Sequence, residues 1–258
     1  QVTTTLFEPE KVPLDLITLT NQLGDPQADL AILAEGNTSV IVDEGRIAVK
    51  ASGASMATAT ATDFVTCSWG ELTDLMRDAR TSQADLTDLL DAGVIEGQRK
   101  RGSIETLIHA AIRSFSPIPY VAHTHPTALV ALLSSVHQET AFDAFVYSDE
   151  AVVLGSVLYV PYAQPGIDLG RLFLERMETY IEKEGTPPSL AVLANHGIVS
   201  ASETWEGALA ISLMANKGAR IRLDALAAGG VIPLSDESVR KYFARDEIVE
   251  RRRNISGA

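Results

Sequence analysis

The sequence predicts a single α/β domain that extends over residues 1–258. Short apolar runs rich in β-branched residues, which are typical of strands, alternate with longer segments whose apolar residues recur at helical spacing. No linker-like stretch divides them, and a length of 258 residues fits one large domain. The apolar content of 46% is that of a globular protein with a substantial core, which excludes a disordered or collagen-like chain.

Charge and cysteine content exclude several classes of function. The 21 Lys and Arg residues against 34 Asp and Glu give a net charge of −13, which argues against general nucleic-acid binding. The longest apolar run, Ala128–Leu133, is far shorter than the roughly 20 residues of a membrane span. The single cysteine, Cys67, excludes an internal disulfide framework or a cysteine-based zinc cluster. The chain starts at Gln1 without a recognisable signal segment, and we expect a cytoplasmic protein with no membrane partner.

In the first part of the chain, leucine and isoleucine residues at helical spacing predict two helices. A short loop with a glycine between two β-branched runs predicts a hairpin. A polar stretch with two glycines predicts a short helical segment and an exposed loop. Two prolines end the helix that follows this stretch. In order, these are a helix over Leu14–Leu23, strands over Thr38–Val42 and Arg46–Lys50, the polar stretch Thr81–Arg101, and a helix from Ile104 to Phe115.

The second part of the chain alternates in the same way. A short strand stops at a proline, and a helix follows it. Two further apolar runs predict strands, and two long amphipathic segments predict helices. In order, these are a strand over Tyr120–His125, a helix with Leu129, Leu132, Leu133 and Val136 on one face, strands over Val152–Val160 and Leu190–Ala194, and helices over Leu169–Glu184 and Thr204–Ala227.

Two histidines stand at the end of the strand Tyr120–His125, in the segment His123-Thr124-His125. Side chains at positions i and i+2 of a strand project to the same side, so the two imidazoles can each offer a nitrogen to one divalent ion. An isolated pair of this kind is more often two ordinary polar residues at a strand end. The pair alone does not establish a metal site.

A third histidine, His196, follows the strand Leu190–Ala194 in the segment Asn195-His196-Gly197. Active sites of α/β proteins collect where strands end and loops begin, so His196 is a candidate third ligand. Three histidines would leave a fourth position of a zinc ion open, which is the catalytic arrangement. A histidine in such a turn is otherwise more often a simple hydrogen-bonding residue.

Glu105 begins the helix that precedes the His-x-His strand. It is a candidate general base beside a metal, positioned to remove a proton from carbon. A carboxylate in a first helical turn also interacts favourably with the helix dipole. Alternatively, Glu105 pairs with His109 on the helix surface, since the two are four residues apart. The sequence leaves these interpretations open.

Five segments follow one another along the chain: Glu35-Gly36-Asn37-Thr38-Ser39, Lys50-Ala51-Ser52-Gly53, Ser103-Ile104-Glu105-Thr106-Leu107-Ile108-His109, His123-Thr124-His125-Pro126 and Asn195-His196-Gly197. In this order they resemble the class II (zinc-dependent) aldolase/adducin family, which includes fuculose-phosphate and rhamnulose-phosphate aldolases and ribulose-phosphate 4-epimerase. The resemblance covers about Ala31 to Ala227. Within the family, the chain is most similar to the aldolase domain of rhamnulose-phosphate aldolase/dehydrogenase proteins. This chain has neither the length nor the G-x-G-x-x-G motif for their dehydrogenase domain.

The resemblance implies a central, mostly antiparallel or mixed sheet flanked by helices, and a role for each matching residue. The three histidines would bind Zn²⁺ or another divalent metal, and Glu105 would be the acid/base. The glycine-containing loops would hold a substrate phosphate, because their N–H groups approach an anion closely. The implied residues are His123, His125 and His196 for the metal, Gly36, Asn37, Ser52, Gly53 and Ser103 for the phosphate, and Glu105 with Tyr147 for catalysis.

The implied reaction is aldol cleavage of a ketose phosphate, such as a deoxy-ketose 1-phosphate, to dihydroxyacetone phosphate and an aldehyde through a zinc-stabilised enediolate. The resemblance also implies a homotetramer in which Tyr147 serves a neighbouring subunit. One departure concerns the phosphate: many phosphate-binding members have Ser-Ser-Glu where this chain has Ser103-Ile104-Glu105. A different phosphate or an unphosphorylated acid therefore stays open as the substrate.

Two alternatives to the aldolase remain. One is a different enzyme on the same metal site, either a sugar-phosphate dehydratase, a 3-oxo sugar acid decarboxylase or an epimerase. The epimerase branch carries aspartate at the position of Glu105, which favours the aldolase. The other is a non-catalytic adducin-like module, but such domains tend to lack the metal histidines, all of which are present here.

Overall fold

The computed structural model describes residues 5–256, and the side chains of residues 5–251. Within that part of the chain, seven strands form one mixed sheet in the order β3-β2-β1-β6-β9-β8-β7. Neighbouring strands are antiparallel except β7 and β8, which are parallel. The strands are β1 Asn37–Asp43, β2 Arg46–Lys50, β3 Phe64–Ser68, β6 Tyr120–Thr124, β7 Val157–Val160, β8 Leu190–Leu193 and β9 Gly197–Ser202, with β4 Asp91–Ile95 and β5 Gln98–Arg101 paired separately.

Helices cover both faces of the sheet. Successive residues of its central strands point to opposite faces and are apolar, so both faces must be buried. On β8, Ala191 and Leu193 pack with one set of helices, while Leu190 and Val192 pack with the other. The first set is α2, α4 and α7, and the second includes α5 and α8. The helices are α1 Leu14–Leu23, α2 Trp69–Arg77, α3 Gln83–Leu89, α4 Thr106–Phe115, α5 Thr127–Leu133, α6 Ser148–Leu154, α7 Ile167–Glu184, α8 Trp205–Ala227, α9 Asp236–Phe243 and α10 Asp246–Ser256.

The predicted fold class is confirmed: the chain forms a mixed α/β domain with a central sheet between helices. The first helix, the β1–β2 hairpin, α4 and β6 lie where the sequence predicts them, within two residues at each end. Cys67 is a buried core residue, as its small apolar side chain suggests. Among the described residues, no helix combines the length and hydropathy that a membrane crossing requires.

Three element predictions are wrong. The strand predicted over Val152–Val160 is the end of α6 followed by a shorter strand, since Glu150 anchors α6 by a buried ion pair with Arg222 of α8. The exposed loop predicted within Thr81–Arg101 is the β4–β5 hairpin. Val136 was expected on a helix face, but α5 ends at Leu133 and the Val136 side chain is 94% exposed.

Candidate metal centre

Three adjacent strands and one helix end bring the candidate site together. In the sheet, β6 lies between β1 and β9, and the register places His123 beside Asn37 on one side and Val199 on the other. His125 follows β6 directly, and His196 lies in the turn between β8 and β9. Glu105 occupies the N-cap position of α4. Residues far apart in sequence therefore meet at one end of these central strands.

The turn between β8 and β9 places His196 against the end of β6. Asn195 adopts a left-handed conformation with φ of 53°, which asparagine tolerates better than most residues. A Cβ at Gly197 would lie 2.3 Å from the carbonyl oxygen of Thr124 and 2.7 Å from the His125 ring. Only glycine permits this approach, so the turn and the His-x-His segment fix each other's position.

The four candidate groups form a compact cluster. The ligand atoms of Glu105, His123, His125 and His196 all lie within 4.8 Å of one another. Glu105 Oε1 is 2.8 Å from His196 Nε2, and Glu105 Oε2 is 3.2 Å from His123 Nε2. The Nε2 atoms of His123 and His125 are 3.0 Å apart. The structure thus brings together the four residues that the sequence singles out.

The surroundings of the cluster set the charge of its members. Burial alone would raise the pKa of Glu105, but the charges and hydrogen bonds of His123 and His196 outweigh it and hold that pKa far below its usual range. Burial lowers the pKa of His125 to about 3, with a contribution from the neighbouring His123 and His196. Burial disfavours the charged form of His123, yet Glu105 raises the pKa of that imidazole. Glu105 is therefore an anion and His125 a neutral base.

This set of donors fits a divalent cation. Nδ1 of His123 donates to the carbonyl oxygen of Ile198 at 2.8 Å, which directs Nε2 toward the cluster. The lone pair of Nε2 becomes available to a cation when the ring gives up its second proton. Two imidazole Nε2 atoms facing each other at 3.0 Å require a proton or a cation between them. Three imidazoles and a carboxylate are ligands that suit zinc, and ligation requires these deprotonated forms.

The loop before β1 and the first residue of that strand contact the cluster at His123 and Glu105. At Gly36, with φ of 68°, an added Cβ would lie 2.6 Å from Sδ of Met56 and 2.7 Å from the carbonyl oxygen of His123. The side-chain amide of Asn37 donates to Ser103 Oγ and to Glu105 Oε2, each at 3.2 Å. Two of the predicted phosphate-binding residues, Asn37 and Ser103, thus adjoin the predicted acid/base, and a third, Gly36, lies against the backbone of His123.

The remaining two predicted phosphate-binding residues, Ser52 and Gly53, lie in the loop after β2. The N–H of Ser52 donates to the carbonyl oxygen of Arg101 at 2.8 Å, and Ala51 forms a bridge with Gly102. A Cβ added at Gly53 would meet open space. The loop therefore runs beside the Gly102–Ser103 segment and leaves room above its backbone.

A cavity of about 290 Å³ opens beside the cluster, and His125 and His196 form part of its lining. Its other polar lining residues are Asp29, Glu35 and Thr127, and the rest of the described lining is apolar. Glu35 Oε1 lies 3.8 Å from Nδ1 of His125. No role was predicted for Asp29 or Glu35 from the sequence. Among the described lining residues none is Lys or Arg, so this wall of the site is acidic.

The family model for the class II aldolase and adducin N-terminal domain matches residues 15–223, which include the whole cluster. The chain belongs to the class II aldolase and adducin family. The family prediction from the sequence is therefore confirmed, and with it the type of fold.

Among the relatives of this family member, the uncharacterized oxidoreductase YuxG of Bacillus subtilis is 30% identical over 180 residues, 66% of this chain and 24% of that protein. Human gamma-adducin is 30% identical over 175 residues, 63% of this chain and 23% of that protein. The chain thus spans about a quarter of the length of these curated relatives. The solved structure of an L-fuculose 1-phosphate aldolase superposes with a TM-score of 0.63 at 20% identity, covering 89% of this chain and 92% of that one.

In this family member, His109 has different surroundings from those the sequence suggested, and Tyr147 lies outside the cluster of its own chain. His109 is fully buried and bonds to Asn37 and Ser39, so the surface pair between Glu105 and His109 is not formed. The Tyr147 hydroxyl contacts Sδ of Met214 at 2.8 Å, and the Lys217 ammonium lies 5.3 Å from the Tyr147 ring centroid. These contacts place Tyr147 against α8, so a catalytic role for it rests on a neighbouring subunit and remains a prediction.

Lys50 is a buried cation beneath the loop that contains Ser52 and Gly53. In the sequence, Lys50 is part of a segment that matches the family, and no role was predicted for it. Its ammonium group donates to the carbonyl oxygens of Ala51 and Ala54, at 3.3 and 2.5 Å. Burial lowers the pKa of Lys50 to about 8, although the charges of Asp63 and Glu105 oppose the shift. Lys50 therefore tethers the loop at the cost of a buried charge.

We expect Lys50→Met to change how stability depends on pH. Between the lowered pKa in the folded protein and the ordinary value near 10.4 in the unfolded chain, the unfolded state binds more protons, so this residue makes stability rise with pH. The wild type should gain about 2 kcal/mol in free energy of unfolding over Lys50→Met between pH 7 and pH 10. Urea titrations at several pH values measure this difference, with the exposed Lys183→Met as a control. Parallel curves for wild type and Lys50→Met would show that Lys50 titrates normally.

Proposed function

We propose that this chain is a metal-dependent aldolase that cleaves a ketose phosphate, such as a deoxy-ketose 1-phosphate, to dihydroxyacetone phosphate and an aldehyde. The observation that carries the proposal is the cluster of three imidazoles and one buried carboxylate, whose ligand atoms lie within 4.8 Å of one another. Membership of the class II aldolase and adducin family and the superposition on an L-fuculose 1-phosphate aldolase support it.

In the proposed site, His123, His125 and His196 hold a divalent cation, most simply Zn²⁺, with Glu105 beside it. A cation held there supplies a Lewis acid that polarises the ketone of the substrate. Gly36, Asn37, Ser52, Gly53 and Ser103 bind the phosphate through loop N–H groups and short polar side chains.

Glu105 transfers the proton to and from the substrate carbon next to the ketone. In cleavage, the hydroxyl on the aldehyde half gives up its proton and the carbon–carbon bond breaks. The bonding electron pair passes to the ketone half. Glu105, which first takes up a proton from solvent, delivers that proton to the carbon that receives the pair and returns to the carboxylate. In the reverse direction Glu105 removes that same proton. A carboxylate buried among imidazoles suits this exchange, since both oxygens already lie within 3.2 Å of protonatable nitrogens. In a homotetramer, Tyr147 of a neighbouring subunit would accept the hydroxyl proton while passing its own phenol proton to solvent, and the same relay would run backwards in the reverse direction.

The cavity beside His125 and His196 favours the aldolase over a sugar acid decarboxylase. Asp29 and Glu35 would repel a substrate carboxylate, whereas a hydroxylated, uncharged chain can donate hydrogen bonds to both. The volume of about 290 Å³ is of the size that holds a few carbon atoms with their hydroxyls. The phosphate would then lie on the other side of the cluster, near Ser52 and Ser103.

The test is a panel of ketose 1-phosphates and their unphosphorylated counterparts, incubated with zinc-loaded protein and followed by mass spectrometry. Release of dihydroxyacetone phosphate and an aldehyde from at least one phosphate ester is the expected result. Carbon dioxide from 3-oxo acids, or a product with an unchanged carbon count, would replace the aldolase by one of the related enzymes. Binding of zinc without turnover of any compound would indicate a non-catalytic, adducin-like module.

A further inference from the structure

A buried row of polar side chains runs from α4 to the candidate acid/base. Nη1 of Arg113 lies 2.8 Å from Ser39 Oγ, which lies 2.6 Å from Nδ1 of His109. Nε2 of His109 bonds to Oδ1 of Asn37, and Nδ2 of Asn37 donates to Glu105. Arg113, Ser39, His109 and Asn37 are each at most 3% exposed. The row ends at a carboxylate oxygen of the metal cluster.

The chemistry of the members gives the row one direction. A guanidinium has only donors, so Ser39 accepts from Arg113 and its own hydroxyl proton is available for His109 Nδ1. His109 Nδ1 is then the unprotonated nitrogen of a neutral ring, and its proton lies on Nε2. Burial beside Arg113 also lowers the pKa of His109, which favours the neutral ring. The Nε2 proton can be donated only to the oxygen of the Asn37 amide.

We propose that His109, itself oriented by Ser39 and Arg113, is a positioning residue that fixes the Asn37 amide so that its nitrogen faces Glu105. The two ends of an asparagine amide are nearly equal in shape, so sterics alone do not choose between them. With the amide reversed, Asn37 Oδ1 would face the carboxylate at the distance of a hydrogen bond, and two acceptors would repel each other. The donor on His109 Nε2 excludes that arrangement. The catalytic consequence rests on the proposed role of Glu105, whereas the direction of the row does not.

The direction is measured by ¹⁵N NMR of the histidine ring in the wild-type protein, without any substrate. We expect the His109 ring to carry its proton on Nε2, with Nδ1 unprotonated, in both zinc-free and zinc-loaded protein. The signals are assigned from their absence in His109→Gln. A ring protonated on Nδ1 alone would reverse the direction of the row and overturn the proposal. This result is independent of whether any sugar phosphate is cleaved.

The consequence for Glu105 is measured with a matched pair of variants. His109→Phe keeps a ring of similar volume without a donor, and His109→Gln places an amide N–H near the position of Nε2. On a substrate found in the panel, we expect His109→Phe to lower kcat roughly 10- to 100-fold with little change in KM. His109→Gln should recover most of that loss, at equal zinc content and equal melting temperature. Equal loss in both variants would show that His109 acts only through packing. If His109→Phe does not fold, the NMR result on the wild type decides the proposal.

Discussion

Glu105→Gln is expected to retain zinc and to lower kcat by about 10²- to 10⁴-fold, the usual contribution of a general acid/base. Glutamine has nearly the shape of glutamate, and the bond from the backbone N–H of residue 105 to Ser103 Oγ does not involve the exchanged side chain. Its amide cannot take up or return the proton on carbon. Zinc content by mass spectrometry and initial rates on an accepted substrate give the two readouts.

The control for this variant is Glu178→Gln, on the exposed side of α7. It makes the same chemical change far from the cluster in sequence and should leave both zinc content and kcat at wild-type values. A near-wild-type rate in Glu105→Gln would assign the base to another residue. Loss of zinc together with rate would instead make Glu105 chiefly a metal ligand.

His196→Ala is expected to abolish stable metal binding. His196 contributes one of three imidazole nitrogens, and removing even an outer partner of a metal ligand weakens binding 10- to 100-fold. A direct ligand should therefore cost more than about 100-fold in zinc affinity. After addition of zinc and dialysis, the wild type should keep close to one equivalent and His196→Ala less than about one tenth. Turnover should fall with the metal.

A matched control exists for this change as well. His137 lies on the exposed surface, so His137→Ala removes an imidazole without touching the cluster. It should bind zinc as the wild type does. Wild-type protein that retains less than about one tenth of an equivalent would remove the metal-dependent model. His196→Ala with full zinc content would show that the cation lies elsewhere.

Much of the fold could be predicted because its helices and strands follow simple periodicities. Leucine spacing predicted α1 with its exact bounds, and the Asp43-Glu44-Gly45 loop predicted the β1–β2 hairpin. The segment Val152–Val160 was misassigned because its valines favour strands locally. What keeps Val152 and Val153 helical is tertiary: Glu150 pairs with Arg222, some 70 residues away, and no local pattern reveals that partner.

In the candidate site, too, some residues could be predicted from the sequence and others could not. Residue type and position at strand ends singled out His123, His125, His196 and Glu105, and the structure brings these together. The buried role of His109 could not be read from its helix, because its partners Ser39 and Asn37 lie on β1. Lys50 and Glu35 likewise acquire meaning only from their surroundings, one beneath a loop and the other beside a cavity.

The central claim is that this chain activates the carbon next to the ketone of dihydroxyacetone phosphate, and it can be tested without knowing the aldehyde. Zinc-loaded protein is incubated with dihydroxyacetone phosphate alone in deuterium oxide and followed by proton NMR. We expect one of the two protons on the hydroxymethyl carbon to exchange for deuterium, and no exchange with zinc-free protein or with Glu105→Gln. Zinc-loaded wild-type protein that leaves both protons in place would contradict the aldolase assignment.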